Sequence, residues 1–187
     1  MESPDTDSRI IRMLRSESMK ENGFRLLTKT YGERLYWHIR RIVISHDDAE
    51  DVLQETFIQI FTKSATFKGN AEQLAAWLYR IALNEALMHL RRQTHFFQSI
   101  DDVNPLLLEK LEAAETHDGY AAERLLQKAL LQLPTTQRTT FIMRYYDEMT
   151  YEQMAAITGK SIGTLKTNYH YATERIKQYI QAHHDSI

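Results

Sequence analysis

Hydrophobic residues recur at three- and four-residue steps along nearly the whole chain, except in one acidic stretch near its middle. This spacing places apolar side chains along one face of an α-helix. It predicts helices from about residue 7 to 93 and again from about 120 to 184. Six Gly and three Pro in 187 residues provide few points at which helices are interrupted. The predicted fold class is therefore all-α, with two small helical domains joined by a linker.

The acidic stretch separates the two periodic segments and gives the predicted boundaries. We expect a first domain at residues 1–94, a linker at 95–119 with about one helical turn, and a second domain at 120–187. The linker contains four leucines, which are too apolar for a purely solvated tether: Leu106, Leu107, Leu108 and Leu111. Two interpretations stay open, a short helix packed on a domain or a segment that lies in a groove of a partner.

A helix-turn-helix is predicted between Thr150 and Ile180. Thr150 and Gln153 fit a capping box, in which each side chain bonds the backbone amide of the other residue. Gly159 can take the positive φ that ends a helix, and Ser161 can cap the next one. That second helix carries one apolar stripe: Ile162, Leu165, Tyr169, Ala172 and Ile176. Such a unit can place its second helix in the DNA major groove, but a solvated α-hairpin has nearly the same pattern.

Charge and composition narrow the function classes. The net charge is −2 and the pI is about 6.4, so the chain lacks the basic excess of a protein that binds DNA unaided. Zero Cys and the lack of a long apolar run or signal peptide indicate a cytoplasmic protein that is not inserted in a membrane. We find no phosphate loop, nucleophile motif or zinc signature, so we expect no cofactor, no metal and no enzyme activity.

Two long motifs resemble a known family. The segments 47–57 (DDAEDVLQETF) and 75–84 (AAWLYRIALN) resemble sigma regions 2.2 to 2.4, while 129–138, 145–157 (YYDEMTYEQMAAI) and 161–167 (SIGTLKT) resemble sigma region 4. Regions one and three are not recognisable, which is the layout of the extracytoplasmic-function (ECF) subfamily of sigma-70 factors. The resemblance implies that the protein binds core RNA polymerase and directs promoter-specific initiation through −10 and −35 elements.

The helix that starts near Asp47 is the expected site of polymerase binding. Its periodicity predicts a buried face of Val52, Leu53, Phe57, Ile60 and Phe61. By resemblance, another face docks on the coiled coil of the polymerase β′ subunit, with β as a further contact of the protein. That face consists of Asp51, Gln54, Glu55 and Ile58.

The helix from about Glu72 to Gln93 is the expected site of −10 recognition. One side is apolar, with Leu74, Trp77, Leu78, Ile81 and Met88, and Asn84 lies at its border. By resemblance, a loop at 67–73 and this helix trap a base flipped from the melted strand. The side chains implied in binding the −10 element are Phe67, Lys68, Tyr79, Arg80, Asn84, Arg91 and Arg92. Alternatively, Asn84 is structural and bonds the backbone.

The resemblance places −35 recognition on the capped helix that begins after Ser161. The implied side chains are Ser161, Thr164, Lys166, Thr167, His170 and Tyr171. The family usually has Arg at the positions of Asn168, Tyr171 and Thr173, so this helix carries less positive charge than usual.

Three functional hypotheses follow. Besides a sigma factor, the sequence allows a helix-turn-helix regulator that binds operators as a dimer without polymerase, or a sigma-like decoy that only binds proteins. The resemblance also makes an anti-sigma factor a candidate partner, beside core RNA polymerase and promoter DNA.

Overall fold

A computed structural model describes residues 4–93, 104–113 and 121–183, and within these ranges all regular structure is helical. The helices are α1 (Pro4–Arg15), α2 (Lys20–Val43), α3 (His46–Lys63), α4 (Ala71–Gln93), α5 (Asn104–Ala113), α6 (Ala121–Leu131), α7 (Thr135–Phe141), α8 (Tyr151–Thr158) and α9 (Ile162–His183). A 3₁₀ turn at Ser64–Thr66 follows α3, and a π-helical turn at Ile142–Tyr146 continues α7. The predicted all-α class, with two small helical domains, is confirmed.

Helices α1 to α4 pack around one hydrophobic core. Leu27, Leu35 and Ile39 of α2 and Leu74 and Leu78 of α4 are fully buried in it. These residues recur at three- and four-residue steps, so each helix contributes one continuous apolar face. The core fixes the relative positions of α3 and α4, the helices on which polymerase binding and −10 recognition are predicted.

Helix α5 lies within the predicted linker and is longer than the single turn expected there. Its ten residues bury Leu107 and Leu111 in the same core as α1 to α4. Full burial of a leucine side chain is worth about 1.5–3 kcal/mol, enough to hold a short helix in place. Of the two interpretations of the leucines, the packed helix is the one observed. The flanking parts of the predicted linker lie outside the described ranges.

Helices α6, α7 and α9 share a second cluster of buried residues. Leu130 and Leu133 meet Phe141, Ala172 and Ile176 there. The ring of Phe141 stacks on Tyr169 at 5.7 Å between centroids. Leu165 of α9 joins the first cluster instead, together with Met154 and Ile157 of α8. Helix α8 therefore links the two halves of the molecule, of which the first is formed by α1 to α4 and the second by α6 to α9.

The halves are in direct contact through α8 and the turn before it. Helix α8 packs against α4, and the π-helical turn packs against α2. A cleft of about 760 Å³ remains between them. None of the described helices is both long and apolar enough to cross a lipid bilayer.

Candidate functional site

The predicted polymerase-binding face lies on the outer surface of α3. Ser45 caps this helix, because its side chain accepts a hydrogen bond from the backbone amide of Asp48. From that start, one face of the helix is buried through Ala49, Val52 and Ile60. The predicted side chains all lie outside that buried face, as the periodicity indicated: Asp51, Gln54, Glu55 and Ile58.

An aromatic groove lies beside this acidic face. It has a volume of about 550 Å³ and is lined by α2 and α3 residues that include Phe24, Leu53, Phe57, Ile58 and Phe61. The edge of Phe24 packs on the rings of Phe57 and Phe61, with centroids 5.9 and 5.2 Å apart. Phe61 was predicted to be buried but is 38% exposed, and Ile58 is 50% exposed. The helix therefore offers a partner an apolar surface with an acidic edge.

The predicted −10 loop is short and is held by α1. It spans residues 67–70 rather than 67–73, because Asn70 and Gln73 bond each other's backbone amides and start α4. The Arg15 guanidinium donates to the carbonyl of Gly69 at 3.0 Å. The half-buried ring of Phe67 packs on Trp77 at 4.8 Å between centroids. A Cβ at Gly69 would collide with the ring of Phe67, so a larger residue there would require this ring to shift.

The three central side chains predicted on α4 for the −10 element lie in different environments. Tyr79 is 8% exposed and packs its ring edge-on against His38 at 5.1 Å. Arg80 is on the surface, and its guanidinium donates to the carbonyl of Ala156 in α8. Asn84 is exposed, so its amide is not needed to satisfy a buried backbone group. Its exposure therefore gives no support to the alternative in which Asn84 is structural and bonds the backbone.

Arg91 and Arg92 end α4 on its exposed side. Arg92 lines a small polar depression together with Asp51, Gln54 and Glu55 of α3. Residues predicted to bind the −10 element and residues predicted to bind polymerase are therefore neighbours at this end of the molecule. Met88, which was predicted on the apolar side of α4, is instead exposed.

Local capping positions α9, the helix predicted to recognise the −35 element. Thr150 and Gln153 form the capping box of α8, with bonds of 2.8 and 3.2 Å, and Gly159 ends that helix at φ 70°. The hydroxyl of Ser161 accepts the amide of Thr164 at 3.1 Å and lies 2.8 Å from its hydroxyl. Ser161 and Thr164 therefore fix the start of α9.

The outer face of α9 is open to solvent within the described structure. Leu165, Ala172 and Ile176 are buried, while Ile162, predicted in the same stripe, is exposed because it lies in the first turn. The amino group of Lys166 lies 5.7 Å from the ring centre of Tyr151, beside α8. The side chains left on the surface are Thr164, Lys166, Thr167, His170 and Tyr171.

The sequence reasoning missed a buried hydrogen bond between side chains of the two halves. His38 of α2 and Asp147, in the turn after α7, place Nδ1 and Oδ2 2.6 Å apart. The sequence analysis used the segments around these residues only for their helix periodicity or their family resemblance. The two residues are 109 positions apart, and no local sequence pattern connects positions so distant. In the described ranges, no three His, Cys, Asp or Glu residues are grouped as metal ligands would be.

Comparison with known proteins gives the family of this chain. Residues 27–96 match the model "Sigma-70 region 2", and residues 123–176 match "Sigma-70, region 4". RNA polymerase sigma factor SigV of Bacillus subtilis (strain 168) is 30% identical over 135 residues, which are 72% of this chain and 77% of SigV. The ECF RNA polymerase sigma-E factor of Salmonella typhimurium (strain LT2) is 28% identical over 186 residues, 94% of this chain and 95% of that protein.

A solved structure shows the same fold. It is the co-crystal structure of the sigma factor RpoE with the anti-sigma factor NepR from Bartonella quintana, with a TM-score of 0.64 and 23% identity. The alignment covers 84% of this chain and 96% of RpoE. With both region models matched in order and curated relatives aligned along most of its length, the chain belongs to the ECF subfamily of the sigma-70 RNA polymerase sigma factors.

Proposed function

We propose that this protein binds core RNA polymerase through the outer face of α3 and the aromatic groove beside it. The observation that carries this assignment is the groove itself, in which Ile58 and Phe61 remain on the surface of an otherwise well-packed domain. A contiguous apolar surface with a charged edge is typical of a protein-binding site. Asp51 and Glu55 supply negative charge that suits a basic, amphipathic helix such as the β′ coiled coil.

We place the promoter contacts on the surface of α4, with the loop before it, and on the exposed face of α9. Lys68, Arg80 and Asn84, with the aromatic pair of Phe67 and Trp77 behind them, would receive the flipped −10 base. The exposed face of α9 would read the −35 element, with Thr164 and Thr167 near base edges and Lys166 near the phosphate backbone. The chain needs no catalytic group of its own, because the chemistry of RNA synthesis belongs to the polymerase. Since that enzyme acts in the cytoplasm, we place the protein there.

The RpoE relative was crystallised with an anti-sigma factor, and we extend that partner class to this chain. The two other hypotheses from the sequence predict different outcomes with purified polymerase. A polymerase-independent regulator would bind operators alone at physiological salt, whereas a decoy would block initiation instead of starting it.

Charge reversal on α3 tests the polymerase-binding assignment. The double variant Asp51→Lys/Glu55→Lys places like charge against a basic partner, so affinity for core polymerase should fall at least about tenfold. Both residues are exposed, so helicity and melting temperature should stay near those of the wild type. Core affinity is measured by fluorescence anisotropy, and initiation by run-off transcription on genomic DNA fragments.

The matched control reverses two exposed acidic residues elsewhere, Glu17 and Glu109, with the same change in net charge. It should bind core polymerase as the wild type does. Equal affinity of the α3 variant and the wild type would remove α3 from the polymerase interface.

A further inference from the structure

The first observation is a buried, hydrogen-bonded pair of side chains that joins the two halves of the molecule. His38 on α2 is fully buried, and Asp147 has a side chain only 4% exposed. Their atoms Nδ1 and Oδ2 are 2.6 Å apart, and Arg41 Nη1 lies 3.7 Å from the other oxygen of Asp147. Because this pair is removed from water, the loss of one partner leaves the other buried without its hydrogen bond, which is costly.

The pair has a specific setting in the cleft between the halves. The edge of the Tyr79 ring packs on His38, and the guanidinium of Arg41 lies 4.4 Å from the ring centre of Tyr146. Burial, reinforced by the nearby charge of Asp147, raises the pKa of Tyr79 to about 12, so this phenol stays neutral. The second ring nitrogen of His38 is buried without a hydrogen-bond partner in the described structure, so Asp147 is the group that satisfies this imidazole.

The backbone of the second half is shaped to present Asp147. The π-helical turn at Ile142–Tyr146 ends with the amide of Asp147 bonded to the carbonyl of Ile142. The next residue, Glu148, has φ 53°, a conformation that few non-glycine residues adopt. Single π turns and strained backbone conformations occur frequently at functional sites and switch regions. Here they direct the Asp147 carboxylate toward α2.

The contact covers part of the predicted −10 surface. Arg80 is bonded to the carbonyl of Ala156 in α8, and Tyr79 is enclosed next to His38 and Asp147. Asn84 lies further along α4 and is exposed. In this arrangement Arg80, although exposed, is hydrogen-bonded to the second half of the same chain, and the buried ring of Tyr79 lines the cleft beside Asp147 and is not open to a DNA strand.

We propose that the His38–Asp147 pair, assisted by Arg41, is an intramolecular latch that closes the two halves on each other. It rests on the proposed −10 role of Tyr79 and Arg80. In the closed form Arg80 is bonded to α8, and Tyr79 lines the cleft beside the turn at Asp147. Promoter binding requires the halves to separate, and breaking the pair shifts the population toward the open form.

The latch is tested first by a distance measurement that is independent of DNA. The chain has no Cys, so cysteines at the exposed positions Lys29 on α2 and Gln178 on α9 can be labelled selectively for double electron–electron resonance. The wild type should give one narrow distance distribution. Asp147→Ala should lengthen and broaden it, whereas Glu148→Ala, which removes an exposed carboxylate from the next residue, should not.

Arg41→Ala provides a variant with little risk of misfolding, because Arg41 is partly exposed and its loss leaves no buried cation. It should shift the distribution in the same direction as Asp147→Ala, but by less. The latch would be overturned if the wild type already gave a distribution as broad as that of Asp147→Ala. It would also be overturned if Asp147→Ala and Arg41→Ala both gave the distribution of the wild type.

A second measurement tests the masking of the −10 surface. Without polymerase, Asp147→Ala should bind a single-stranded −10 oligonucleotide about tenfold more tightly than the wild type or Glu148→Ala, because more of the protein is competent to bind. Opening without any gain in DNA affinity would refute masking. Failure of the proposed function would be seen separately, because the wild-type protein would then not support core-dependent transcription. The distance measurement would still test the latch in that case.

Discussion

The two proposed DNA-binding faces of this protein differ in what makes them available. The face of α9 is set by local caps, at Thr150 and Ser161, and its outer residues are exposed. The face of α4 is formed by an equally regular helix, yet Tyr79 and Arg80 contact residues from other elements, and Arg80 reaches the other half of the chain. The shape of a recognition helix can therefore be a local property, while its accessibility depends on contacts distant in sequence.

The two faces also differ in the chemistry that they offer to DNA. The −35 face presents hydroxyl and aromatic groups and one well-placed cation, Lys166, whereas the −10 face combines Lys68 and Arg80 with an amide and half-buried aromatic rings. Hydroxyls near base edges suit sequence reading in a duplex. Aromatic and amide groups beside cations suit an unstacked base. We therefore expect α9 to select promoters and α4 to stabilise the melted strand.

The largest effect should come from Thr167 on α9. Thr167→Val keeps the shape of the side chain and removes its hydroxyl, so a direct base contact should be lost at about 1–3 kcal/mol at one −35 base pair. A promoter library read by sequencing would show altered preference at that position. Lys166→Ala is the matched comparison: it should weaken all promoters alike and reduce the salt slope by about one unit. If Thr167→Val instead weakened all promoters alike and Lys166→Ala altered the sequence preference, the proposed orientation of α9 on DNA would be wrong.

A smaller effect is expected from Asn84 on α4. Asn84→Ala should slow open-complex formation on duplex promoters about tenfold, by removing a hydrogen bond worth about 1–1.5 kcal/mol to the flipped base. On a template with a pre-melted bubble the deficit should shrink, since part of the melting cost is already met. Permanganate footprinting measures both. Because Asn84 is exposed, the melting temperature should not change; an unfolded variant, or an equal deficit on both templates, would contradict the assignment to melting.

The smallest effect concerns the docking of α5 on the first half. Lys110 Nζ lies 2.5 Å from Asp48 Oδ2, and His89 Nε2 lies 3.2 Å from the other carboxylate oxygen. Partial burial alone raises the pKa of Asp48, but the hydrogen bonds and charges of Lys110 and His89 outweigh it and hold this pKa below its usual value. Lys110→Met, which keeps the length of the side chain, should lower the free energy of unfolding by about 1 kcal/mol at neutral pH.

The pH dependence of that loss follows from the lowered pKa of Asp48. A carboxylate whose pKa is depressed in the folded state stabilises the fold above its unfolded pKa, about 3.9, and this stabilisation disappears as pH falls through the folded pKa. The difference between wild type and Lys110→Met should therefore be constant near pH 7 and vanish in acid, as measured by urea unfolding. Lys177→Met, which breaks the exposed Lys177–Glu174 pair, is the control and should change stability by only a few tenths of a kcal/mol. A difference for Lys110→Met that persists in acid would assign its effect to packing.

The amino-acid sequence determined the features that depend on neighbours within one or two helical turns. The exposed positions of Asp51, Glu55 and Thr167 follow from periodicity, and the caps at Thr150 and Ser161 follow from side chains three residues from the amides that they bond. Such contacts form in any helix that starts at these residues. The positions predicted wrongly, Phe61, Met88 and Ile162, lie near the margins of apolar faces, where periodicity alone does not say whether a neighbouring helix covers the side chain.

Only the tertiary structure decided how the two halves meet. The Asp147 carboxylate reaches His38 because a π-helical turn and the positive φ of Glu148 redirect the chain, and neither feature has a signature in the sequence pattern. The same holds for α5, whose Lys110 pairs with Asp48 from 62 positions away. Helix periodicity states which side of an element is apolar but not which element packs against it. For that reason the sequence identified candidates for −10 recognition on α4, while the fold determined that Tyr79 is buried and that Arg80 is bonded to the other half.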